Sequence, residues 1–186
     1  MPRWPEPAPT PTLAPAALRP GERATDFGFI LAHGMAERDL GQGPLTERLG
    51  LSGADLAALA ARHLPGLALP DTALPAPAKS PEQMSIETLI LWRAGLAGPE
   101  ARWLAAILAR RAQERRHLWE DLGLPSRAAL GQMIAHRLPG LKAANAQDMR
   151  WKKFFYRQIC ADAAFTLCLS PSCEDCDERA ACFAPD

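Results

Sequence analysis

The sequence lacks an excess of charge of either sign. Lys and Arg together number 21, and Asp and Glu together also number 21, so the formal net charge is zero. Proteins that bind nucleic acid or an anionic membrane electrostatically carry a surplus of basic residues on the binding face. We therefore predict no nucleic acid and no membrane among the partners, and any basic surface must be local.

The sequence also lacks a long apolar run. No stretch approaches the roughly 18 apolar residues that span a bilayer, and the N-terminal region has no continuous apolar segment of the kind found in secretory signals. We expect a cytoplasmic protein. Because cytoplasmic thiols are kept reduced, the five cysteines are expected to bind metal or to take part in chemistry instead of forming disulfides.

Alternating runs of β-branched residues are absent as well, which favours an all-α fold over one with a sheet. We predict a compact multi-helix domain with a C-terminal cysteine-rich loop that binds a cluster. The predicted parts are a disordered Pro/Ala-rich arm over residues 1–25, a helical domain over 26–167 and the metal-binding cysteine loop over 168–186.

Helix start and stop signals divide the helical domain. Serines 52, 80 and 126 are predicted N-caps, and the prolines between Leu67 and Lys79 predict an extended surface linker. A long helix is expected from Pro99 to about Leu122, with four arginines largely on its solvent side: Arg110, Arg111, Arg115 and Arg116. Pro139-Gly140 should break the next helix, and a last helix is expected from about Asp148 to Leu167.

Four cysteines lie within fifteen residues near the C-terminus: Cys168, Cys173, Cys176 and Cys182. Their spacing is C-x4-C-x2-C-x5-C, and a metal is the physical reason for such a concentration of thiolates. Zinc sites usually pair two C-x2-4-C knuckles across a longer loop, whereas a compact loop with one C-x2-C suits the iron corners of a cluster. The pattern favours an iron–sulfur cluster, with structural zinc as the alternative.

Basic and aromatic residues alternate on the last predicted helix. The basic residues are Arg150, Lys152, Lys153 and Arg157, and the aromatic residues are Trp151, Phe154, Phe155 and Tyr156. One interpretation is a solvated basic face over an aromatic core. The other is that the cations stabilise an anionic cluster or attract an oxyanion. Cys160 is predicted to be a small core residue, His117 is expected at a helix end, and the sequence gives no role to His136.

Two known families resemble parts of this sequence. DNA glycosylases of the endonuclease III type end in a similar cluster loop and carry a hairpin turn that resembles Leu138-Pro139-Gly140-Leu141-Lys142. In that comparison Lys142 replaces the second hairpin glycine, the first cysteine spacing is two residues short, and Asp148 comes too early to be the catalytic aspartate. A glycosylase-like iron–sulfur protein is therefore kept as an alternative function.

Three segments carry a stronger resemblance: the run from Met149 to Cys160, the cysteine tail that closes on Cys182-Phe183, and the segment from His117 to Leu124. In these segments the sequence resembles the NifQ family of nitrogen-fixation proteins. The resemblance spans about residues 27–183, including the first amphipathic segment near Phe27 and Leu64-Pro65-Gly66.

The resemblance implies that the protein is a metal carrier and not an enzyme. The expected function is to bind molybdenum on an iron–sulfur cluster, of the 4Fe-4S or 3Fe-4S type, and to donate it for iron–molybdenum cofactor biosynthesis of nitrogenase. The implied partners are molybdate, the cofactor assembly scaffold and the nitrogenase iron protein. The four cysteines, Cys168, Cys173, Cys176 and Cys182, map onto the metal-binding motif of the family.

Overall fold

The described part of the chain is built from helices. The computed structural model describes residues 26–95 and 97–162, and no strand occurs among them. Nine helices follow in order there: α1 (Asp26–Asp39), α2 (Leu45–Leu49), α3 (Gly53–His63), α4 (Pro81–Ala94), α5 (Pro99–Ala112), α6 (Leu118–Asp121), α7 (Arg127–Arg137), α8 (Pro139–Ala144) and α9 (Trp151–Asp162). The predicted all-α class is confirmed. The predicted arm over 1–25, the last helix beyond Asp162 and the cysteine loop over 168–186 lie outside the described residues.

Three helix starts follow the predicted capping. The hydroxyl oxygens of Ser52, Ser80 and Ser126 each accept a hydrogen bond from the backbone N–H three residues later, at 3.0 to 3.1 Å. These bonds satisfy N–H groups that have no partner inside the helix. The helix that Ser80 starts ends at Ala94, where Gly95 adopts a left-handed φ of 70°. Local sequence signals therefore set these boundaries.

The segment between α3 and α4 has no helix, as predicted, but it is folded back onto the body. The Asp71 carboxylate accepts hydrogen bonds from Arg38 Nε at 2.7 Å and from the Leu45 backbone N–H at 2.8 Å. A Cβ on Gly53 would lie 2.3 Å from the Thr72 carbonyl oxygen, so only glycine allows this close approach. The short helix α2 begins at Leu45 and was not predicted, because five residues are too few to show a helical period.

The prediction of one helix from Pro99 to about Leu122 is wrong. The structure has α5 up to Ala112 and a separate α6 from Leu118. A new helix start follows from the backbone N–H of His117, which donates to Glu120 Oε2 at 3.0 Å. Between the two helices, Lys152 Nζ donates to the carbonyl oxygens of Glu114 and Arg116. The break thus depends on a residue about 36 positions further along the chain.

The two later helix boundaries are also more complex than predicted. Pro139 ends α7 as expected, but it also begins α8, since a proline fits the first helical position where no N–H partner is needed. The last helix starts at Trp151 and not at Asp148, whose φ of 50° is left-handed. The Asn145 side chain closes this turn through hydrogen bonds to both the N–H and the carbonyl oxygen of Met149, each at 2.9 Å.

Helix α5 lies at the centre of the core. It packs against α2, α3, α4 and α6, and most of its residues are buried, including Leu104, Ile107 and Leu108. Helix α9 packs against α4. Within the described ranges, no helix is both long and apolar enough to cross a membrane.

Candidate functional site

The predicted metal ligands, Cys168, Cys173, Cys176 and Cys182, lie outside the described residues. The structure describes α9, the helix that leads toward them, and Cys160 lies within that helix. The packing role predicted for Cys160 stays a prediction. What the structure shows of the site is therefore the way in which the body of the protein holds α9.

The buried face of α9 is aromatic. Trp151, Phe154 and Phe155 are each at most 5% exposed, and their ring centroids lie 5.8 to 6.0 Å from one another. Such edge-to-face and tilted arrangements are the favourable ones for aromatic pairs. The predicted aromatic core beneath the basic residues is confirmed, and it fixes one side of α9 to the helical body.

The basic residue Lys152 is used inside the protein. Its ammonium nitrogen lies 2.7 Å from Asp121 Oδ2, and Asp121 is only 6% exposed. Burial raises the pKa of the Asp121 carboxyl, while the charge of Lys152 and its hydrogen bond act in the opposite direction. Lys152 therefore pairs with a buried acid and is not available to bind an incoming oxyanion.

The remaining polar residues of α9 also make contacts within the chain. The Tyr156 hydroxyl hydrogen-bonds Glu82 at the start of α4, and Arg93 Nη2 near the end of α4 donates to Gln158 Oε1 at 3.1 Å. Arg157 Nη1 lies 3.5 Å from Met149 Sδ, and Arg150 and Lys153 have contacts of their own. Polar bonds near both ends of α4 thus hold α9 alongside it.

A buried ion network lies beside these contacts of α9, and the sequence analysis missed it. Arg111 is 1% exposed, and its Nη1 lies 2.6 Å from Glu37 Oε2. The prediction that Arg111 lies largely on the solvent side is therefore wrong, because carboxylates from α1 and from the end of α5 gather around that face. Arg48 joins the network through Glu37 at 3.1 Å and Glu114 at 2.9 Å.

The network changes the ionisation of its groups. Burial alone would raise the pKa of Glu37, but hydrogen bonds from His33 and Arg48 and the charge of Arg111 bring it far below its usual range. Burial lowers the pKa of Arg111, against the attraction of Glu37. The i, i+4 spacing of His33 and Glu37 was visible in the sequence, whereas the burial of Arg111 had no local signal.

The described histidines do not form a metal site. His33 pairs with Glu37, and the His63 ring packs 4.5 Å from the Phe27 ring. His117 was expected near the end of one long helix, but the structure places it at the start of a new one, as the N-cap residue of α6. Among the described residues, no group of three or more His, Cys, Asp or Glu side chains is placed to hold a metal ion.

Two open cavities occur in the described body. One, of about 340 Å³, lies between α3 and residues 66–72 and is mostly apolar. The other, of about 310 Å³, lies at the start of α5 beside Arg62, His136 and Arg137. The Arg62 guanidinium pairs with Glu100, and the Arg137 guanidinium pairs with both Glu100 and Asp26, so two carboxylates balance the two arginines of the second cavity.

Comparison with known proteins gives a consistent result. The NifQ family model matches residues 30–184, a range that includes all four predicted cysteine ligands. Protein NifQ of Rhodobacter capsulatus is 72% identical over 174 residues, which cover 92% of this chain and 97% of that protein. Protein NifQ of Klebsiella pneumoniae is 39% identical, covering 77% of this chain and 90% of that protein. A NifQ homolog of Sinorhizobium fredii is 36% identical, covering 84% of this chain and 70% of that protein. No solved structure matches.

Proposed function

The chain belongs to the NifQ family of nitrogen-fixation proteins, and from this premise we propose that it carries molybdenum on an iron–sulfur cluster for assembly of the iron–molybdenum cofactor of nitrogenase. The observation that carries the proposal is a family match running through residue 184, and thus through Cys168, Cys173, Cys176 and Cys182. In this proposal the protein is a cytoplasmic carrier and performs no catalysis. Molybdate is the source of its cargo, and the cofactor scaffold and the nitrogenase iron protein are the partners at delivery.

The donor set fits the proposed cofactor on chemical grounds. Four cysteines supply four thiolates, one for each iron corner of a cubane cluster. A bound iron–sulfur cluster would supply sulfide donors, which together with thiolates suit reduced molybdenum. Cys168, Cys173, Cys176 and Cys182 would hold the cluster.

The described body would act as the support for this segment. The aromatic face of α9, the Lys152–Asp121 pair and the bonds from Tyr156 and Gln158 to α4 hold the helix that precedes the cysteines. A carrier must keep its ligands on the chain while it presents the cargo to a partner. A fixed helix followed by a ligand-bearing segment meets both requirements.

The test is to purify the chain without oxygen from cells supplied with iron and molybdate. Iron, molybdenum, zinc and acid-labile sulfide are then measured per chain, together with the electron paramagnetic resonance spectrum. Iron and sulfide accompanied by molybdenum are expected. Zinc alone would support the structural zinc alternative and contradict the proposal. Iron and sulfide without molybdenum under every loading condition would leave a cluster protein of another kind, such as the glycosylase-like alternative.

A pair of cysteine variants tests the ligand set. Cys168→Ala removes one of four proposed ligands and should sharply lower iron and molybdenum content. Cys160→Ala is the matched control, because that residue lies in α9, outside the C-x4-C-x2-C-x5-C motif, and should retain the cluster. Parental metal content in Cys168→Ala would show that the ligand set is wrong.

A further inference from the structure

The outer face of α4 carries an apolar stripe without a cover in the described part of the chain. The stripe consists of two apolar side chains, Met84 and Trp92, with the threonine Thr88 between them, and the i, i+4 spacing places all three on one side of the helix. Met84 is 50% exposed and Trp92 is 68% exposed. These are two of the four large apolar side chains that are strongly exposed in the described residues. A concentration on one helix face points to something that packs there.

The stripe lies next to the place where the chain leaves α9. The Arg93 guanidinium stacks over the Trp92 ring at 4.4 Å, and the same guanidinium donates to Gln158. Gln158 is one helical turn before Asp162, the last residue of α9 in the described range. The described part of α9 therefore ends about one helical turn beyond the residue that this guanidinium contacts.

The length and composition of that continuation fit the stripe. Its 24 residues can span roughly 80 Å when extended, whereas the 14 residues of α4 are only about 21 Å long. It carries Phe165 and Leu167 before the first of the four cysteines, Leu169 inside the motif and Phe183 after the last cysteine. Because it is tethered beside the stripe, its effective concentration there is on the order of millimolar, which favours it over a separate molecule.

We propose that residues 163–186 of this chain dock on the α4 stripe, with their apolar side chains against Met84 and Trp92. The docking does not depend on the proposed carrier function.

Photo-cross-linking in the full chain tests the docking. The photoreactive residue p-benzoylphenylalanine is placed at Thr88, which is exposed in the middle of the stripe and leaves Met84 and Trp92 intact. Illumination of the anaerobically purified chain should yield cross-links within one chain from position 88 to peptides of 163–186. The matched control carries the same group at Arg157, which is exposed on α9 and closer to 163–186 in sequence. Position 88 should give the higher yield.

Three outcomes would overturn the docking proposal. These are no cross-link from position 88, an equal or higher yield from position 157, or cross-links between two chains, which would make the stripe an interface between copies. Metal content is measured on the same sample. Bound iron and molybdenum without cross-links would reject docking and leave the carrier function intact. Cross-links in a chain that holds only zinc would support docking and reject the carrier function.

Discussion

Arg111 shows how one residue can depend on contacts from several helices. A guanidinium that is 1% exposed loses nearly all of its hydration, and this cost is offset only if anionic groups lie close to it. Glu37 provides one such group at 2.6 Å, and Glu37 is in turn held by Arg48. The network therefore couples α1, α2 and α5 through charges that cannot be removed one at a time without loss.

Replacing Arg111 with methionine should lower the free energy of unfolding by about 3 kcal/mol, because Glu37 then keeps its burial and loses one cation. Urea denaturation followed by circular dichroism measures the change. Arg110→Met is the control on the neighbouring residue, whose ion pair with Glu114 is more exposed and should cost less than about 1 kcal/mol. Equal losses of unfolding free energy in the two variants would show that the buried ion pair contributes no more to stability than the exposed one.

The Lys152–Asp121 pair leads to a second residue-scale prediction. Lys152→Met should destabilise the protein by about 1–3 kcal/mol at neutral pH, since a buried carboxylate loses its partner. The pKa of Asp121 is already raised by burial and should rise further. A raised pKa means that stability is lost as pH rises through it, so the deficit should shrink as the pH falls toward 4.

The double variant Lys152→Met/Asp121→Asn should recover part of that loss, since it removes the unpaired buried charge. Lys142→Met is the control, because its ion pair with the exposed Asp148 is at the surface. If the Lys152→Met deficit were the same at pH 4 and pH 7, the charge of Asp121 would not be its cause.

At the scale of elements, helix starts with a local cap were predictable and breaks made by distant residues were not. The N-caps at Ser52, Ser80 and Ser126 depend on bonds within four residues of sequence. The gap between α5 and α6 is different, because Lys152 binds the carbonyl oxygens there from a distant helix. The sequence shows amphipathic continuity over this region, and its local sign of a new helix is Glu120 three residues after His117.

The cap of α7 offers a direct test at this scale. Ser126→Ala removes the hydroxyl that accepts from the Ala129 N–H and should cost about 1 kcal/mol of unfolding free energy. Ser85→Ala is the matched control, because Ser85 is exposed inside α4, where alanine is the better helix former. Urea denaturation should show a loss for the first and little change or a gain for the second. A neutral Ser126→Ala would mean that water replaces the cap.

The candidate site likewise has one part that could be predicted from the sequence and one part that could not. The cysteine motif could be predicted from spacing alone, because all of its members lie within fifteen residues. The support for that segment could not, since Glu82 and Arg93 lie more than sixty residues before their partners Tyr156 and Gln158. Side-chain pairing between distant helices depends on the packed fold, and a helical period only shows which face is buried.

At the scale of the whole molecule, acidic residues that gain cations on folding should set the response to acid. Hydrogen bonds from Arg38 and Arg62 lower the pKa values of Asp71 and Glu100, and contacts to His33, Arg48 and Arg111 outweigh burial to lower that of Glu37. Carboxyls of this kind contribute stability above their unfolded pKa and lose it as pH falls toward the folded one. The pKa of Asp121 is raised by burial instead, so this group gains stability as pH falls. It reduces the overall loss of stability in acid without reversing it.

The free energy of unfolding should therefore change little between pH 6 and 8 and decline as the pH falls below about 4.5, the ordinary pKa of a glutamate.

Glu37→Gln should lower stability at neutral pH and make the acid decline shallower, because this group then no longer takes up a proton on unfolding. Asp148→Asn is the control, since that carboxyl is exposed, its attraction to Lys142 is screened by salt, and the decline should keep its slope. Urea denaturation at a series of pH values measures both. An unchanged acid slope in Glu37→Gln would show that the buried network is not what makes the fold sensitive to acid.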